Sequence, residues 1–410
     1  MKQLEVVRDP LWDNIRLEPE ALAVVDTPAV QRLRYVRQLG HAFLVYPGAT
    51  HTRFEHMLGA YHLARRALAQ LDETGHRVDR AAAQHITLAA LLHDIGHYPF
   101  SHALEEAGLP HHEALAERHI RAGELAGVLQ RMGVDCRRLL ALIQGERGDP
   151  LVGLVSGSLD VDKLDYLSRD AWMCGVPYGV IDVDRLLMSL TVVPDRGLAV
   201  TEKGLAALES LLYAKYQMYR NVYWHHAVRS ATAMFKRLVR QALAAGRLRA
   251  DDVAVATDDG LIHELQHGDA TGLAQALRER RLAKRVLDLP AAELPEGAGE
   301  WLGTDPDLVA TVEDRLAAEV GLEPGELFID FPVKRDMLGL DLPLARRDGS
   351  VVQLAGTGAE SYLGLARVAA ELIRSARRLR VFVLRPAQVP AKRVLDLAAL
   401  PGDEARRRLA

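Results

Sequence analysis

A nearly continuous apolar segment of this chain ends in two polar residues whose side chains are good metal ligands. Residues 82–93 are mostly alanine, leucine and other apolar residues, and they predict a buried helix that Gly96 and Pro99 bring to an end. His93 and Asp94 then lie in its last turn, where their side chains can face a cleft while the helix body stays in the core. This segment therefore requires a helical core with polar groups gathered at one helix end.

The histidines of the chain are concentrated in one stretch. Of the 16 histidines, twelve lie between His41 and His119. Residues scattered over a solvated surface would not cluster so strongly, and we therefore place the chemistry of the chain in this stretch.

Two histidines and two aspartates together predict a divalent-metal site. They stand in the fragments 51–56, 92–97 and 160–163, and the proposed ligands are His56, His93, Asp94 and Asp162. Two imidazoles and two carboxylates neutralise a doubly charged cation and leave octahedral positions for water and a phosphate oxygen. The set suits Mg, Mn, Fe, Co or Ni and does not select among them. Because neutral histidine and ionised aspartate are required, we expect the site to fail at acid pH.

A second group of histidines and carboxylates accompanies the proposed ligands in sequence. Hydrolysis of a phosphate ester needs groups that position or deprotonate water and a group that protonates the leaving oxygen. Histidine, with an unperturbed pKa near ~6.5, suits both tasks near neutral pH, and a neighbouring carboxylate fixes its ring. We therefore predict a catalytic set, some of whose members only support the others: His97, His102, Glu105, His112 and Glu113.

Two cations flank proposed metal ligands. Arg53 and Lys163 are expected to hold the charged oxygens of a phosphate chain. The alternative for each is an ion pair with Glu55 or Asp165.

Asp162, Tyr166 and Asp170 share one face of a predicted helix because they are spaced four residues apart. An acid and a tyrosine on that face suit a hydroxyl group and the ring face of a sugar. A polar face turned toward water is the competing interpretation.

The pattern along the chain predicts a mainly α fold in three parts. An N-terminal segment, residues 1–45, should pack on a helical core of residues 46–245, and residues 246–410 should form a smaller α+β lobe. Helices are predicted at 29–39, 54–71, 82–93, 112–121, 124–132, 136–143, 162–172, 183–190 and about 203–245, with a hairpin at 191–200. In the last part, strands are predicted at 326–332 and 378–385, a helix at about 359–376 and a loop at 285–307.

Composition and charge argue against several classes of protein. The formal net charge of the 410 residues is −4 with both signs interspersed, which argues against a nucleic-acid groove as the main surface and leaves a local basic patch open. The first residues lack the apolar core of a signal peptide, and no apolar run approaches the ~18 residues of a membrane helix. Cys136 and Cys174 belong to no CxxC motif and are expected to be inert thiols. We therefore expect a cytoplasmic protein without a membrane partner.

The motifs and their flanks resemble the HD-domain metal-dependent phosphohydrolases. Within that group the chain is similar to the deoxynucleoside triphosphate triphosphohydrolases that combine SAM and HD domains, and to their bacterial relatives. The matching segments lie between about residues 5 and 190 and include Gln31-Arg-Leu-Arg-Tyr35, Tyr46-Pro-Gly-Ala49, Arg53-Phe-Glu-His56, His93-Asp-Ile-Gly-His97 and Asp160-Val-Asp-Lys-Leu-Asp-Tyr166.

The resemblance implies an HD-domain helical core with a smaller C-terminal lobe and a divalent-metal cofactor on the four proposed ligands. It assigns His97, His102 and His112 to catalysis at the α-phosphate, and Arg53 and Lys163 to phosphate contacts. Contacts to the deoxyribose are implied for Gln38, Tyr166 and Asp170, and Leu39 is expected to bind substrate as well. The implied reaction converts a deoxynucleoside triphosphate (dNTP) and water into a deoxynucleoside and inorganic triphosphate. Because relatives of this kind assemble, a homo-oligomer, either a dimer or a tetramer, is expected.

Two other classes of function stay open from the sequence. One is a different HD phosphohydrolase activity, on nucleoside monophosphates or on signalling or modified nucleotides. The other is a non-catalytic protein that binds nucleotides or single strands and keeps a vestigial site. The intact set of ligands and acid–base residues argues against the second alternative.

Overall fold

Helices make up most of the fold, which is seen in a computed structural model describing residues 5–332, 338–354 and 363–409. The α-helices in these ranges are α1 Pro19–Val25, α2 Pro28–Gln31, α3 Arg53–Glu73, α4 Arg80–Leu92, α5 His112–Arg121, α6 Gly123–Arg131, α7 Cys136–Ile143, α8 Val161–Cys174, α9 Val183–Met188, α10 Leu205–Met218, α11 His226–Ala244, α12 Ala250–Val255, α13 Asp258–Gln266, α14 Leu273–Arg278, α15 Pro306–Glu319, α16 Gly364–Ala376, α17 Ala391–Ala398 and α18 Gly402–Leu409. None of the helices in the described part of the chain is both long and apolar enough to cross a membrane. The predicted mainly α class is confirmed, whereas a cytoplasmic location stays a prediction.

Short strands form three small sheets in the described residues. The strands are β1 Glu5–Asp9, β2 Asp13–Leu17, β3 Leu190–Val193, β4 Gly197–Thr201, β5 Lys284–Pro290, β6 Leu327–Asp330, β7 Pro343–Ala345, β8 Val351–Gln353 and β9 Arg378–Val383. β1 and β2 form a hairpin, β3, β4, β7 and β8 are adjacent in that order, and β9 lies between β5 and β6. The hairpin predicted at residues 191–200 is confirmed, because β3 and β4 pair antiparallel from Leu190 opposite Val200.

Three helices, α3, α4 and α8, bring the polar residues of the motifs to one place. Each begins at a residue that satisfies free backbone N–H groups: Thr52 with Glu55 in a capping box, Asp79, and Asp160. Their apolar faces lie in a single hydrophobic core. Several predicted helices are confirmed, and their observed first and last residues lie within two residues of the predicted ones. They are the helices predicted at 54–71, 82–93, 112–121, 124–132, 136–143, 162–172 and 183–190.

Helices α3 and α8 approach closely at Gly59. A Cβ atom on this residue would lie 1.8 Å from Asp165 Oδ1 and 2.6 Å from Arg169 Nη2. Only glycine leaves room at this point, so the carboxylate and the guanidinium group can lie between the two helices.

The helix predicted at residues 29–39 is interrupted. Helix α2 covers only Pro28–Gln31, and a 3₁₀ turn follows at Arg32–Tyr35. The carboxylate of Asp258 accepts the backbone N–H of Arg37 at 3.0 Å and its guanidinium group at 3.2 Å. Contacts with α13 therefore outweigh the helical pattern of this segment.

The single helix predicted at about 203–245 is in fact two helices. A π-helical turn at Tyr219–Tyr223 follows α10, and α11 starts afresh after it. His225 begins the second helix, since its ring nitrogen accepts the N–H of Ala227 at 3.3 Å.

The loop predicted at residues 285–307 was wrong in its first part, which belongs to β5. This strand pairs antiparallel with β9 and lies at the edge of its sheet, where Pro290 is tolerated. The strands predicted at 326–332 and 378–385 are confirmed as β6 and β9. Helix α16 confirms residues 364–376 of the helix predicted at 359–376, Leu363 precedes the helix, and residues 359–362 lie outside the described residues.

Strand pairing crosses the boundary predicted near residue 246. β7 lies parallel to β4, with Val200 opposite Leu344. The N-terminal hairpin buries Ile15 and Leu17 in the same core as the helices. The division into residues 1–45, 46–245 and 246–410 stays a prediction.

Candidate active site

Three helices bring two histidines and an aspartate to one point. His56 lies on α3, His93 directly follows α4, and Asp162 lies in the first turn of α8. His56 Nε2 is 3.1 Å from His93 Nε2 and 3.1 Å from Asp162 Oδ1, and His93 Nε2 is 3.6 Å from Asp162 Oδ1. One donor atom from each residue can therefore reach a single ion.

Asp94 completes the set of four predicted ligands. Its Oδ2 is 3.5 Å from His56 Nε2, and its Oδ1 is 3.4 Å from His93 Nε2. The same carboxylate accepts a hydrogen bond from Arg53 Nη1 at 2.5 Å and lies 3.1 Å from His97 Nε2. The structure thus brings all four predicted ligands together.

The Nδ1 atoms of His56 and His93 each donate a hydrogen bond to an acceptor outside the proposed ligand set. His56 Nδ1 donates to Asp165 Oδ2 at 2.8 Å, and His93 Nδ1 donates to the carbonyl of Ala90 at 2.9 Å. In the neutral form of each ring these bonds keep the proton on Nδ1, and they turn Nε2 toward the shared point, where an ion can take the place of a proton. Two imidazole nitrogens and two carboxylates fit a divalent ion such as Mg, Mn, Fe, Co or Ni.

The charges around this point favour a bound cation. Burial raises the pKa of Asp94, but Arg53 holds it well below its usual range, so the carboxylate is ionised at neutral pH. Burial lowers the pKa of His56, yet hydrogen bonds to Asp162 and Asp165 outweigh burial and raise it to about 10. The group of acids therefore attracts positive charge, and a metal ion competes with protons for it.

A buried carboxylate that the sequence analysis missed lies behind the histidines. Asp165 Oδ2 accepts the hydrogen bond of His56, and its Oδ1 accepts one from Trp12 Nε1 at 2.5 Å. Arg169 donates to both Asp165 oxygens at 2.9 Å and to Asp9 Oδ2 at 2.8 Å. The four-residue spacing of Asp165 and Arg169 on α8 is the signal that could have identified this pair.

A second polar cluster is organised by Glu105. Its carboxylate accepts hydrogen bonds from His102 Nδ1 at 3.0 Å and from His112 Nδ1 at 2.6 Å. The ring of His97 stacks on that of His112 with 3.8 Å between centroids. Since His97 also contacts Asp94, this cluster lies directly beside the four predicted ligands.

Burial and neighbouring charges set the protonation of this cluster. Burial raises the pKa of Glu105, but hydrogen bonds from His102 and His112 hold it far below its usual range. Burial, together with the charge of Arg53, keeps the pKa of His97 well below its usual value, so its ring is neutral at pH 7. His102 has a side chain that is 60% exposed, and it is the member of the cluster that water reaches most easily.

The fifth predicted catalytic residue lies apart from the cluster. Glu113 is exposed on the first turn of α5 and, among the described residues, forms no hydrogen bond or ion pair with the three histidines. Its charge lies at the helix N-terminus, where a carboxylate is favourable.

The two predicted phosphate-binding cations have partners within the protein. Arg53 is buried and donates to Asp94, as described above, and to Ser101 Oγ at 3.2 Å. Lys163 Nζ donates to Asp160 Oδ2 at 2.5 Å. Arg53 therefore pairs with Asp94 and Lys163 with Asp160, and in the described part of the chain neither forms the ion pair with Glu55 or Asp165 that the sequence left open.

Two of the predicted sugar-binding residues lie at a buried hydrogen-bond network. Asp170 Oδ1 accepts a hydrogen bond from His51 Nε2 at 2.8 Å, and its Oδ2 accepts one from Tyr223 at 2.7 Å. The rings of Tyr166 and Tyr223 lie 6.4 Å apart. His51 was not among the predicted site residues, although it begins the first motif fragment.

Gln38 and Leu39 lie on a segment whose backbone is hydrogen-bonded to that of His51, a member of this network. The backbone N–H of Gln38 donates to the carbonyl of His51 at 3.0 Å, and Leu39 packs against the core. The Oε1 atom of Gln38 is buried and has no hydrogen-bond partner among the described residues. An amide oxygen of this kind suits a ligand that donates a hydrogen bond.

Comparison with known families identifies both regions of the chain that carry these residues. The family described as HD domain matches residues 53–170, and the family described as HD associated region matches residues 181–359. The uncharacterized protein MJ1154 of Methanocaldococcus jannaschii is 33% identical over 338 residues, which are 81% of this chain and 70% of that protein.

Other curated relatives are matched over about half of their length. The uncharacterized protein YwfO of Bacillus subtilis is 32% identical over 59% of this chain and 57% of its own length. The deoxynucleoside triphosphate triphosphohydrolase SAMHD1 of Gallus gallus is 28% identical over 54% of this chain and 43% of its own length.

Solved structures share the fold over nearly the whole chain. A phosphohydrolase from Bacteroides thetaiotaomicron has a TM-score of 0.75 at 24% identity and covers 93% of this chain and 100% of its own. A hypothetical protein from Aquifex aeolicus has a TM-score of 0.72 at 28% identity and covers 100% of both chains. The chain belongs to the HD-domain metal-dependent phosphohydrolases, which confirms the resemblance and the dependence on a divalent metal ion.

Proposed function

We propose that this chain hydrolyses dNTPs to a deoxynucleoside and inorganic triphosphate. The observation that carries the proposal is the convergence of His56, His93 and Asp162 on one point, with Asp94 in contact with both histidines and with the His97 ring of the neighbouring cluster. The Gallus gallus relative, a deoxynucleoside triphosphate triphosphohydrolase, supports this choice of substrate.

The proposed reaction needs both a base and an acid. Attack of water on the α-phosphorus forms a P–O bond and breaks the bond to the 5′-oxygen of the sugar, so water loses a proton and the sugar oxygen gains one. His102 and His112 donate their Nδ1–H groups to Glu105, which leaves each Nε2 as a proton acceptor. Glu105 stabilises the positive charge on the ring that takes up the proton.

The remaining proposed contacts hold the two ends of the nucleotide. A divalent cation on the four ligands supplies charge neutralisation at a phosphate oxygen. The other phosphate oxygens are assigned to Arg53, which is bonded to Asp94, and to Lys163, which is next to Asp162 in the sequence.

The sugar end is assigned to Gln38, Leu39, Tyr166 and Asp170. Gln38 offers a buried oxygen without a hydrogen-bond partner among the described residues. Burial raises the pKa of Tyr166 well above its usual range, so this residue presents a neutral hydroxyl group. Both groups suit a sugar hydroxyl.

The test is a substrate panel with metal-free protein that is reloaded with each of Mg, Mn, Fe, Co and Ni. Phosphorus NMR separates triphosphate from pyrophosphate and phosphate, and ¹⁸O-labelled water shows which atom is attacked. We expect triphosphate from dNTPs, with the label on phosphorus. Turnover of monophosphates or signalling nucleotides alone would favour another HD phosphohydrolase. A metal-free protein that binds single strands with a steep salt dependence would favour a non-catalytic role.

We also propose that the chain forms a homo-oligomer, either a dimer or a tetramer. The proposal comes from its family resemblance. Light scattering coupled to size-exclusion chromatography tests it, and a monomer at micromolar concentration would contradict it.

A further inference from the structure

Arg229 joins the C-terminal sheet to the turn that carries Glu105. On one side, its Nη2 lies 2.6 Å from Asp330 Oδ1 in β6, and its Nε donates to Asp330 Oδ2 at 3.0 Å. On the other side, its Nη2 and Nη1 donate to the two oxygens of Glu106 at 2.7 and 3.0 Å. Glu106 directly follows Glu105, so a buried guanidinium group is bonded to two carboxylates on separate parts of the chain.

The turn that carries Glu105 has little regular structure of its own. Residues 104–108 form neither a helix nor a strand, and their backbone hydrogen bonds are local, such as that from the N–H of Gly108 to the carbonyl of Glu105 at 3.0 Å. Leu104 anchors the start of the turn in the core shared with α11. The Glu105 side chain itself accepts hydrogen bonds from His102 and from the ring and the backbone N–H of His112. Any further contact that holds the turn to the rest of the fold helps to keep its carboxylate in place.

Glu106 supplies such a contact. Besides Arg229, it accepts a hydrogen bond from Lys236 Nζ at 3.0 Å, which lies two turns further along α11. Burial raises the pKa of Glu106, but Arg229 and Lys236 hold it far below its usual range. Two adjacent glutamates therefore have opposite tasks: one holds His102 and His112, and the other is held by α11.

We propose that Arg229 is a positioning residue for the reaction. It holds Glu106 against β6 and thereby keeps Glu105 where its carboxylate accepts hydrogen bonds from both His102 and His112. Arg229 acts through the turn. This inference rests on the proposed function, and it makes the C-terminal sheet part of the frame of the active site.

The same helix offers a matched control. Arg237 is also buried on α11 and pairs with acidic residues of α15: its Nη2 donates to both oxygens of Asp314 at 2.7 Å, and its Nη1 lies 3.6 Å from Glu313 Oε2. Among the described residues it forms no hydrogen bond or ion pair with the turn at 104–108. Its replacement weakens the contact between α11 and the C-terminal part without touching Glu106.

The kinetic test compares Arg229→Met, Glu106→Ala and Arg237→Met in the metal-loaded protein, with a dNTP or, failing turnover, bis(4-nitrophenyl) phosphate. We expect the first two variants to lower kcat roughly 10- to 100-fold with KM unchanged, because the histidine pair is misplaced and the binding contacts remain. Arg237→Met should keep its kcat. Glu106→Ala leaves the bond between Arg229 and Asp330 in place, so it answers the question if Arg229→Met fails to fold.

A double-mutant cycle shows whether the effect passes through Glu105. In a Glu105→Gln background, Arg229→Met should lower kcat by no more than about a further twofold, because the residue through which it acts is already altered. The proposal would be overturned if Arg229→Met lowered kcat as much in the Glu105→Gln background as in the wild type. It would also be overturned if Arg237→Met lowered kcat as much as Arg229→Met does.

A readout without substrate separates this inference from the proposed function. The ring resonances of His102 and His112, assigned by single His→Gln variants, should shift in Arg229→Met and Glu106→Ala and stay in place in Arg237→Met. Shifted resonances in a protein that turns over no dNTP would support the positioning role and contradict the proposed substrate. Unchanged resonances in both variants would overturn the positioning role.

Discussion

His56 Nδ1 donates a hydrogen bond to Asp165 Oδ2 across 2.8 Å, and this bond ties the candidate metal centre to the charge network behind it. Burial raises the pKa of Asp165, but Arg169 and His56 hold it far below its usual range. The carboxylate is therefore an anion that keeps Nδ1 of His56 protonated and leaves Nε2 free for an ion.

Asp165→Asn should weaken metal binding. The amide has the same shape but lacks the charge, and loss of such an outer partner of a metal ligand lowers affinity or activity roughly 10- to 100-fold. Metal content after dialysis against buffered free metal, together with turnover, measures the effect. Asp184→Asn is the matched control, because this exposed carboxylate pairs only with Arg66 at the surface among the described residues. Wild-type metal content in Asp165→Asn would show that the bond to His56 is dispensable.

Gly59→Ala should destabilise the protein by roughly 3 kcal/mol, because the new methyl group displaces the buried pair formed by Asp165 and Arg169. Urea denaturation gives the free energy of unfolding. Gly127→Ala in α6 is the control: its Cβ would meet nothing nearer than the flexible end of Arg131 at 3.4 Å. The free energy of unfolding of Gly127→Ala should rise by up to about 1 kcal/mol, because alanine has a higher helix propensity than glycine. Equal stabilities of the two variants would contradict the close approach of α3 and α8.

Glu313→Gln should remove a pH dependence of stability. Burial raises the pKa of Glu313 from 4.5 to about 7. Because the folded pKa is the higher one, the contribution of this residue is fully present below pH ~4.5 and is lost as pH rises through about 7. The free energy of unfolding of the wild type, relative to the variant, should therefore fall by up to about 3 kcal/mol over this window.

Urea titrations of both proteins between pH 4.5 and 8 measure this difference. Glu319→Gln on the same helix is the control: a hydrogen bond from Arg393 lowers the pKa of Glu319, so its contribution to stability changes below pH ~4.5, and the difference between wild type and Glu319→Gln should stay nearly flat between pH 4.5 and 8. A difference between wild type and Glu313→Gln that stays flat across the window would refute the raised pKa.

His93→Ala and His102→Ala should both inactivate the protein, for different reasons. His93 is one of the four proposed ligands, so its loss should empty the metal site, whereas His102 belongs to the Glu105 cluster. We expect His102→Ala to keep its metal and to lose roughly 100-fold or more in kcat. Metal analysis together with steady-state kinetics distinguishes the two variants. Loss of metal from His102→Ala would show that His102 contributes to metal binding and contradict its assignment to catalysis alone.

The grouping of the four proposed metal ligands was predictable because their positions follow local rules. The apolar helix α4 ends at Leu92, so His93 and Asp94 directly follow it instead of lying in its last turn as predicted, and the capping residue Asp160 fixes the start of the helix that carries Asp162. Each rule needs only a few neighbouring residues, so the sequence contains the information.

The supporting contacts were not predictable in the same way. Asp165 owes its role to Trp12 and Arg169, and Arg229 owes its role to a strand about 100 residues later in the chain. The break after α2 depends likewise on Asp258, which is 221 residues from Arg37. Such pairs become visible only once the packing of the helices is known.

The parallel pairing of β4 with β7 has a consequence for any shortened form of the protein. A polypeptide ending at residue 245 would lack the strand that covers one edge of β4, and Leu344 would no longer lie opposite Val200. Bare strand edges recruit strands from other molecules. A polypeptide of residues 1–245 is therefore expected to precipitate when it is produced alone. It should stay dispersed only when the segment that supplies β7 is part of the same molecule.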